Sequence, residues 1–213
     1  TNISFDHTQF LGNSLSLIAK EKAGIIKHKI PVVIGEYVAE TKEVFVEFAN
    51  KNQSPIYFAQ ENEDTNLPCG LHGDYQNQNK KTVLQAISLL KKYFSISDEA
   101  IELGLLNVVK NTGLLGRWQQ LGEHPTIICD TAHNTEGFKI VMNQINNLKF
   151  DKLHIVLGVV NDKDLNSILP LFPRNAFYYF CKPNVLRGLN ANYLKEAALN
   201  FGLKGEVCNS VTE

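Results

Sequence analysis

The sequence predicts an α/β protein whose second half is a doubly wound unit. Three observations predict it. Short apolar runs of strand length recur between segments whose apolar residues repeat at helical spacing. Beyond residue 113 the alternation of strand and helix is regular, as a parallel sheet with crossover helices requires. The run Thr126-Ile127-Ile128-Cys129 stops abruptly at Asp130-Thr131-Ala132-His133-Asn134. That puts an acid, an imidazole and an amide at the expected carboxyl end of a parallel strand, where open α/β sheets hold ligands.

Taken in order, residues 15–22 read as a helix, with Gly24 suited to its carboxyl cap. Residues 31–35 read as a short strand, 41–50 as a helix carrying Val44, Val46, Phe48 and Ala49, and 54–59 as another strand. The polar, turn-rich stretch 61–74 suits a hairpin or a surface loop. Residues 79–94 and 97–110 read as two helices, the second opening on Ser97-x-Asp-Glu. After Asn111-Thr112-Gly113 come a strand at 126–129, a helix at 136–147, a strand at 153–159, a helix at 163–171, a strand at 176–181 and a helix at 192–201. The domain boundary is placed at residue 113, giving domains 1–112 and 113–213. The chain opens Thr1-Asn2-Ile3-Ser4-Phe5 in strand-like alternation, and its single Met is Met142, so it reads as a piece of a longer chain.

Composition excludes several classes. With 213 residues and 44% hydrophobic content the chain can bury one sizeable core or two modest ones. No apolar run approaches the ~20 residues that span a bilayer. A formal net charge of -1, a pI near 6.6 and scattered Lys and Arg leave no basic field for nucleic acid or an anionic membrane. Cys69, Cys129, Cys181 and Cys208 show no CxxC spacing, which fits free thiols in a reducing cytoplasm.

Four features carry potential chemistry, and each has a plain structural alternative. Asp130 and Asn134 suit hydrogen bonding to a ligand, but equally suit capping of the next helix. His7 follows the strand-like Ile3–Phe5 segment, where imidazole is either a metal ligand or simply packed. Lys20 and Lys22 close a helix, where solvated cations complement the helix dipole. Gly116-Arg117-Trp118 sets a cation beside the single Trp, as anion contact or as a stacked surface pair.

In their order these residues are more specific than singly. Thr1-x-Ile3-x-x-Asp6-His7-x-x-x-Leu11-Gly12, Glu21-Lys22-Ala23-Gly24-Ile25, Gln76-x-x-Asn79, Gly116-Arg117, Asp130-x-Ala132-His133-Asn134 and Asp162-Lys163-Asp164 follow one another along the chain. Together they resemble the folylpolyglutamate synthase and dihydrofolate synthase family, within the Mur ligase superfamily. The resemblance implies that 1–112 is the later half of a central ATP-binding domain and 113–213 a Rossmann-like Mur ligase carboxy-terminal domain. The G-x-x-x-x-G-K-[ST] phosphate cradle, which the family places upstream, does not occur in these 213 residues.

The resemblance further implies ATP and Mg2+ as cofactors, with folate or dihydropteroate and L-glutamate as substrates of a monomeric cytoplasmic ligase. His7 matches a magnesium ligand, and Lys22 a lysine that is carbamylated, turning a cation into an oxygen donor for a hard metal. Asn79, Arg117 and Asp130 match nucleotide-contacting positions: an amide, a cation for phosphate and an acceptor for ribose hydroxyls. His133 matches a residue near the incoming glutamate. Three positions depart from the family pattern: Tyr75 stands where His is usual, Thr131 where Gly is usual and Thr135 where Pro is common. The implied chemistry is amide formation through an acyl phosphate, with these 213 residues inactive by themselves. Two rival readings are a peptidoglycan-precursor amino-acid ligase, against which Glu-Lys-Ala-Gly-Ile and Asp6-His7 weigh, and a noncatalytic nucleotide-binding module.

Overall fold

The structure is a computed structural model that describes residue 3, residues 12–211 and residue 213. Its contacts divide into two compact units, residues 1–131 and 132–213. Among the described residues no helix is long and apolar enough to cross a membrane.

The first unit begins with helix α1 (Leu15–Ala23), whose N-cap Ser14 accepts a hydrogen bond from the Leu17 backbone N–H. Gly24 follows at the C-cap as expected, with its N–H on the carbonyls of Lys20 and Glu21. Strand β1 (Val32–Ile34) and strand β2 (Ile56–Phe58) pair in parallel, Val32 opposite Ile56. Parallel neighbours need a crossover, and helix α2 (Ala39–Lys51) supplies it. Thr41, Val44, Phe45 and Ala49 repeat at helical spacing along α2 and are buried. Val44 and Phe45 build a core with Ala19, Ala23, Ile26 and Ile34, against which Ile3, Val32, Phe48 and Phe58 pack. Each large apolar side chain withdrawn from water there contributes about 1.5–3 kcal/mol.

Residues 62–75 form a loop rather than a hairpin. The buried Lys80 on helix α3 (Gln76–Leu90) donates from Nζ to the carbonyls of Thr65 (3.0 Å) and Leu67 (2.9 Å), tying the loop to the helix. The helix expected over 97–110 is two: α4 (Asp98–Leu106) and α5 (Val108–Thr112). They break at Asn107, whose side-chain amide donates to the Leu103 carbonyl at 2.9 Å, the local competition with helical bonding that Asn brings. Gly113 then ends α5 in the left-handed region, φ 68°.

The sequence reading of 126–129 as a buried parallel strand needs correction. Strand β4 (Thr126–Cys129) pairs antiparallel with β3 (Gln119–Glu123), a strand the sequence does not announce. Thr126 and Ile127 are exposed, so this apolar run is half of a surface hairpin rather than a core strand. Asp130 still follows a strand's carboxyl end.

In the second unit, helix α6 (Thr135–Asn146) buries Phe138, Val141, Met142 and Gln144. Strands β5 (His154–Leu157), β6 (Phe177–Cys181) and β7 (Lys204–Cys208) form a parallel sheet in the order β5-β6-β7. Helix α7 (Leu165–Ile168) with a 3-10 turn (Leu169–Leu171) makes one crossover, and helix α8 (Ala191–Leu199) the other. Pro170, which lacks an N–H, sits in that turn, and α7 is accordingly shorter than the sequence suggests. Tyr178 and Phe180 on β6 are fully buried, as are Leu194, Ala198 and Leu203, while Phe172 bridges Phe138 and Tyr178 at ring distances of 5.2 and 6.2 Å.

Candidate active site

Asp130 is the centre of the best-organised polar group in the first unit. Its Oδ2 accepts from the Tyr75 hydroxyl at 2.8 Å and from the Trp118 backbone N–H at 2.8 Å. Tyr75 lies immediately before α3, and Trp118 immediately before β3, so one carboxylate oxygen joins a helix start to a hairpin start. Charged acceptors make hydrogen bonds about twice as strong as neutral ones.

The backbone around Trp118 is shaped for this. Gly116 has φ 69° and Trp118 φ 49°, both left-handed, and the second is costly for a residue with a side chain. The turn they make presents the Trp118 N–H to Asp130, while the indole is buried at 7% exposure. Thr131 holds the turn from the other side: its N–H and its Oγ1 both donate to the Gly116 carbonyl, at 2.9 and 3.0 Å. The Gly116 N–H in turn donates to Gln119 Oε1 at 2.9 Å. Arg117, between two pinned residues, is exposed.

Tyr75 is held as firmly. Its ring lies over Gly73, where an added Cβ would come within 2.6 Å of the ring. Burial pushes its phenol pKa well above the usual range, reinforced by the hydrogen bond to Asp130 and by that carboxylate's charge. The Arg117 guanidinium acts in the opposite direction, as does a hydrogen bond with the Gln76 side chain. The phenol therefore remains a donor at any physiological pH.

The residues singled out from sequence fall as follows. Asp130 and Arg117 belong to this group. Asn79 lies one turn along α3 from Tyr75, with its Nδ2 donating to the buried Gln76 Oε1 at 2.9 Å. Lys22 sits exposed in the last turn of α1. His7 lies outside the described residues. His133 is in the second unit, exposed, just before Asn134. Asn134 is the N-cap of α6, accepting from the Gly137 N–H at 2.8 Å. The capping alternative thus applies to Asn134, and the Asp130 carboxylate accepts from Tyr75 and Trp118.

Tyr75 and the Trp118 N–H are the members of this group that the sequence did not mark as site residues. The signal for Tyr75 was its place directly before Gln76-x-x-Asn79, in a position where the family pattern has another hydrogen-bonding ring. Nothing in the sequence marks a backbone N–H.

The donors present do not make a cation site among the described residues. No group of three or more His, Cys, Asp or Glu converges there. An unmodified lysine such as Lys22 has three donors and no acceptor.

The family model described as Mur ligase, glutamate ligase domain, matches residues 116–213. The dihydrofolate synthase/folylpolyglutamate synthase of Bacillus subtilis (strain 168) is 30% identical over 195 residues, covering 79% of this chain and 44% of that protein. E. coli FolC in complex with DHPP and ADP has the same fold, with a TM-score of 0.80 at 24% identity over 99% of this chain and 52% of that one. The bifunctional enzyme of Yersinia pestis, complexed with AMPPNP and Mn ion, superposes with a TM-score of 0.76 at 24% identity over 99% and 52%. The chain spans about half the length of these proteins. By its matched glutamate ligase domain, its relatives and its fold, this chain belongs to the folylpolyglutamate synthase and dihydrofolate synthase family of Mur ligases.

Proposed function

We propose that the protein carrying this chain is an ATP-dependent ligase that joins L-glutamate to folate or dihydropteroate. The observation that carries this reading is the Asp130 carboxylate, fixed by Tyr75 and Trp118 beside the exposed Arg117, in a chain of this family. Asp130 accepts hydrogen bonds from the ribose hydroxyls, and Arg117 meets phosphate charge that grows as the substrate carboxylate attacks the γ-phosphate. Asn79 supplies an amide to the nucleotide. The amine of glutamate then displaces phosphate from the acyl phosphate, and His133 hydrogen-bonds near that centre. Much of the rate comes from holding the reacting groups in place, which rigid loops such as 116–118 favour. The division at residue 113 is part of the same proposal, with 1–112 contributing to the central domain and 113–213 forming the carboxy-terminal one.

A divalent cation, which in such reactions neutralises charge on the phosphates, would call on His7 and on Lys22 carrying a carbamate. The described residues do not fit one as they stand, so the roles above are assigned without it.

The test is glutamate incorporation into dihydropteroate or a reduced folate by the protein carrying this chain, with Asp130→Asn alongside. The substitution keeps size but removes the charged acceptor, a change worth about 1.5–3 kcal/mol. The KM for ATP should rise about tenfold or more. ATP-independent incorporation, or unchanged ATP kinetics in Asp130→Asn, would overturn the reading.

A further inference from the structure

We propose that Cys181 and Cys208 are a site of reversible oxidation, at which a small-molecule disulfide such as oxidised glutathione converts the two thiols into one intramolecular disulfide that staples β7 to β6.

The two residues stand opposite one another. Cys181 is the last residue of β6 and Cys208 the last of β7, and they form the final pair of the parallel register. Paired strands lie about 4.7–4.9 Å apart. That is inside the Cα separation of about 4.4–6.8 Å that a disulfide spans. Alternation along β6 puts Cys181 with Phe177 and Tyr179 on the face away from the fully buried Tyr178 and Phe180, and its partner Cys208 leaves the sheet on the same face. Because the pair ends the ladder, it is held by pairing on one side only and can tilt more than a pair in mid-strand. Cys181 Sγ leans over Gly158, where an added Cβ would come within 3.2 Å of it. Gly158 follows β5 on one side of β6, and Cys208 lies on the other. A step between staggered rotamers about χ1 turns the sulfur from Gly158 towards Cys208.

Exposure sets the order of events. Cys208 is half-buried and Cys181 is 3% exposed, so the reagent meets Cys208 first. The Cys208 thiolate attacks one sulfur of oxidised glutathione, leaving a mixed disulfide and releasing one glutathione thiolate. Cys181 gives up its proton and attacks the Cys208 sulfur, and the second glutathione departs. Two protein thiols and one glutathione disulfide thus become one protein disulfide and two glutathione thiols. Burial pushes both protein thiols above their ordinary pKa, with Cys208 adding to the effect on Cys181, and Glu213 and Glu206 to that on Cys208. Little thiolate is present at neutral pH, so the exchange is slow, as befits a staple rather than a rapid sensor. Cys129 is also half-buried, but its strand partner is Gln119.

The experiment incubates the folded protein carrying this chain with oxidised glutathione, blocks the remaining thiols with iodoacetamide and maps the peptides by mass. A linked peptide joining Cys181 to Cys208 is expected, and dithiothreitol should release it. Cys181→Ser should halt at a glutathione adduct on Cys208, whereas Cys208→Ser should leave Cys181 unmodified. Among the described residues β7 is an edge of its sheet, so in the oxidised protein hydrogen exchange at the Val207 and Cys208 backbone N–H groups should slow by about tenfold or more. No linked peptide, a linked peptide that forms only in urea, or Cys181 joined to a different cysteine would overturn the site. A linked peptide with unchanged exchange at Val207 would overturn the staple.

Discussion

Replacing Gly116 by Ala should destabilise the first unit by about 2–3 kcal/mol, and the structure divides that cost into two parts. Gly116 has φ 69°, a left-handed conformation that costs a residue with a Cβ about 1–2 kcal/mol. The new Cβ would also stand 2.5 Å from Thr131 Cγ2. That methyl can swing away only by rotating Thr131 about χ1, which carries its Oγ1 off the Gly116 carbonyl, now 3.0 Å distant, at about 1 kcal/mol. The chain has a single Trp, Trp118, two residues from the substitution, so its fluorescence in a urea titration reports on this turn. With a slope of about 1–3 kcal/mol per molar urea, the midpoint should fall by about 0.7–3 M. In a Thr131→Ala background neither methyl nor hydroxyl remains, and Gly116→Ala should then cost only the backbone part. The difference between the two backgrounds, about 1 kcal/mol, is a coupling energy between touching residues. An equal cost in both backgrounds would refute the Thr131 contact, and a cost below about 0.5 kcal/mol would refute the backbone argument as well.

Other outcomes follow from the same contacts. Asn134→Ala should cost about 1 kcal/mol by removing the acceptor for the Gly137 N–H, while Asn134→Asp should be nearly neutral; thermal denaturation of the two variants distinguishes them. At high pH the phenols of Tyr75 and Tyr178 both resist ionisation, each chiefly because of burial. Their folded pKa values lie above the ordinary 10.0, so the stability they contribute is complete below about pH 10 and is lost as pH rises beyond it. Urea midpoints measured between pH 8 and 11.5 should therefore fall at the alkaline end, and Tyr75→Phe should make that fall shallower. An identical alkaline fall in Tyr75→Phe would show that this phenol does not sense folding.

The sequence by itself determined what depends on local pattern. Helical spacing located α2, α3, α6 and α8, because apolar residues such as Val44, Val46, Phe48 and Ala49 are written directly in residue order. The parallel strands β5 and β6 were equally legible as apolar runs bounded by polar residues, as sheets covered by helices require. The order of the motifs carried the family. Lys204–Cys208 was not legible, because its lysine and glutamate obscure the apolar signal. It became a strand by pairing with β6, where Gly205 permits a backbone approach that any Cβ would block. Thr126–Cys129 looked like a core strand, since four apolar or β-branched residues read alike on a surface hairpin and in a buried sheet. Asp130 was visible as a candidate, but its partners were not. Tyr75 lies 55 residues away and the Trp118 donor is a backbone N–H, and neither a long-range contact nor a main-chain group leaves a mark in residue order. Only the folded turn at Gly116–Trp118, with two residues in left-handed conformations, brings those donors to one oxygen.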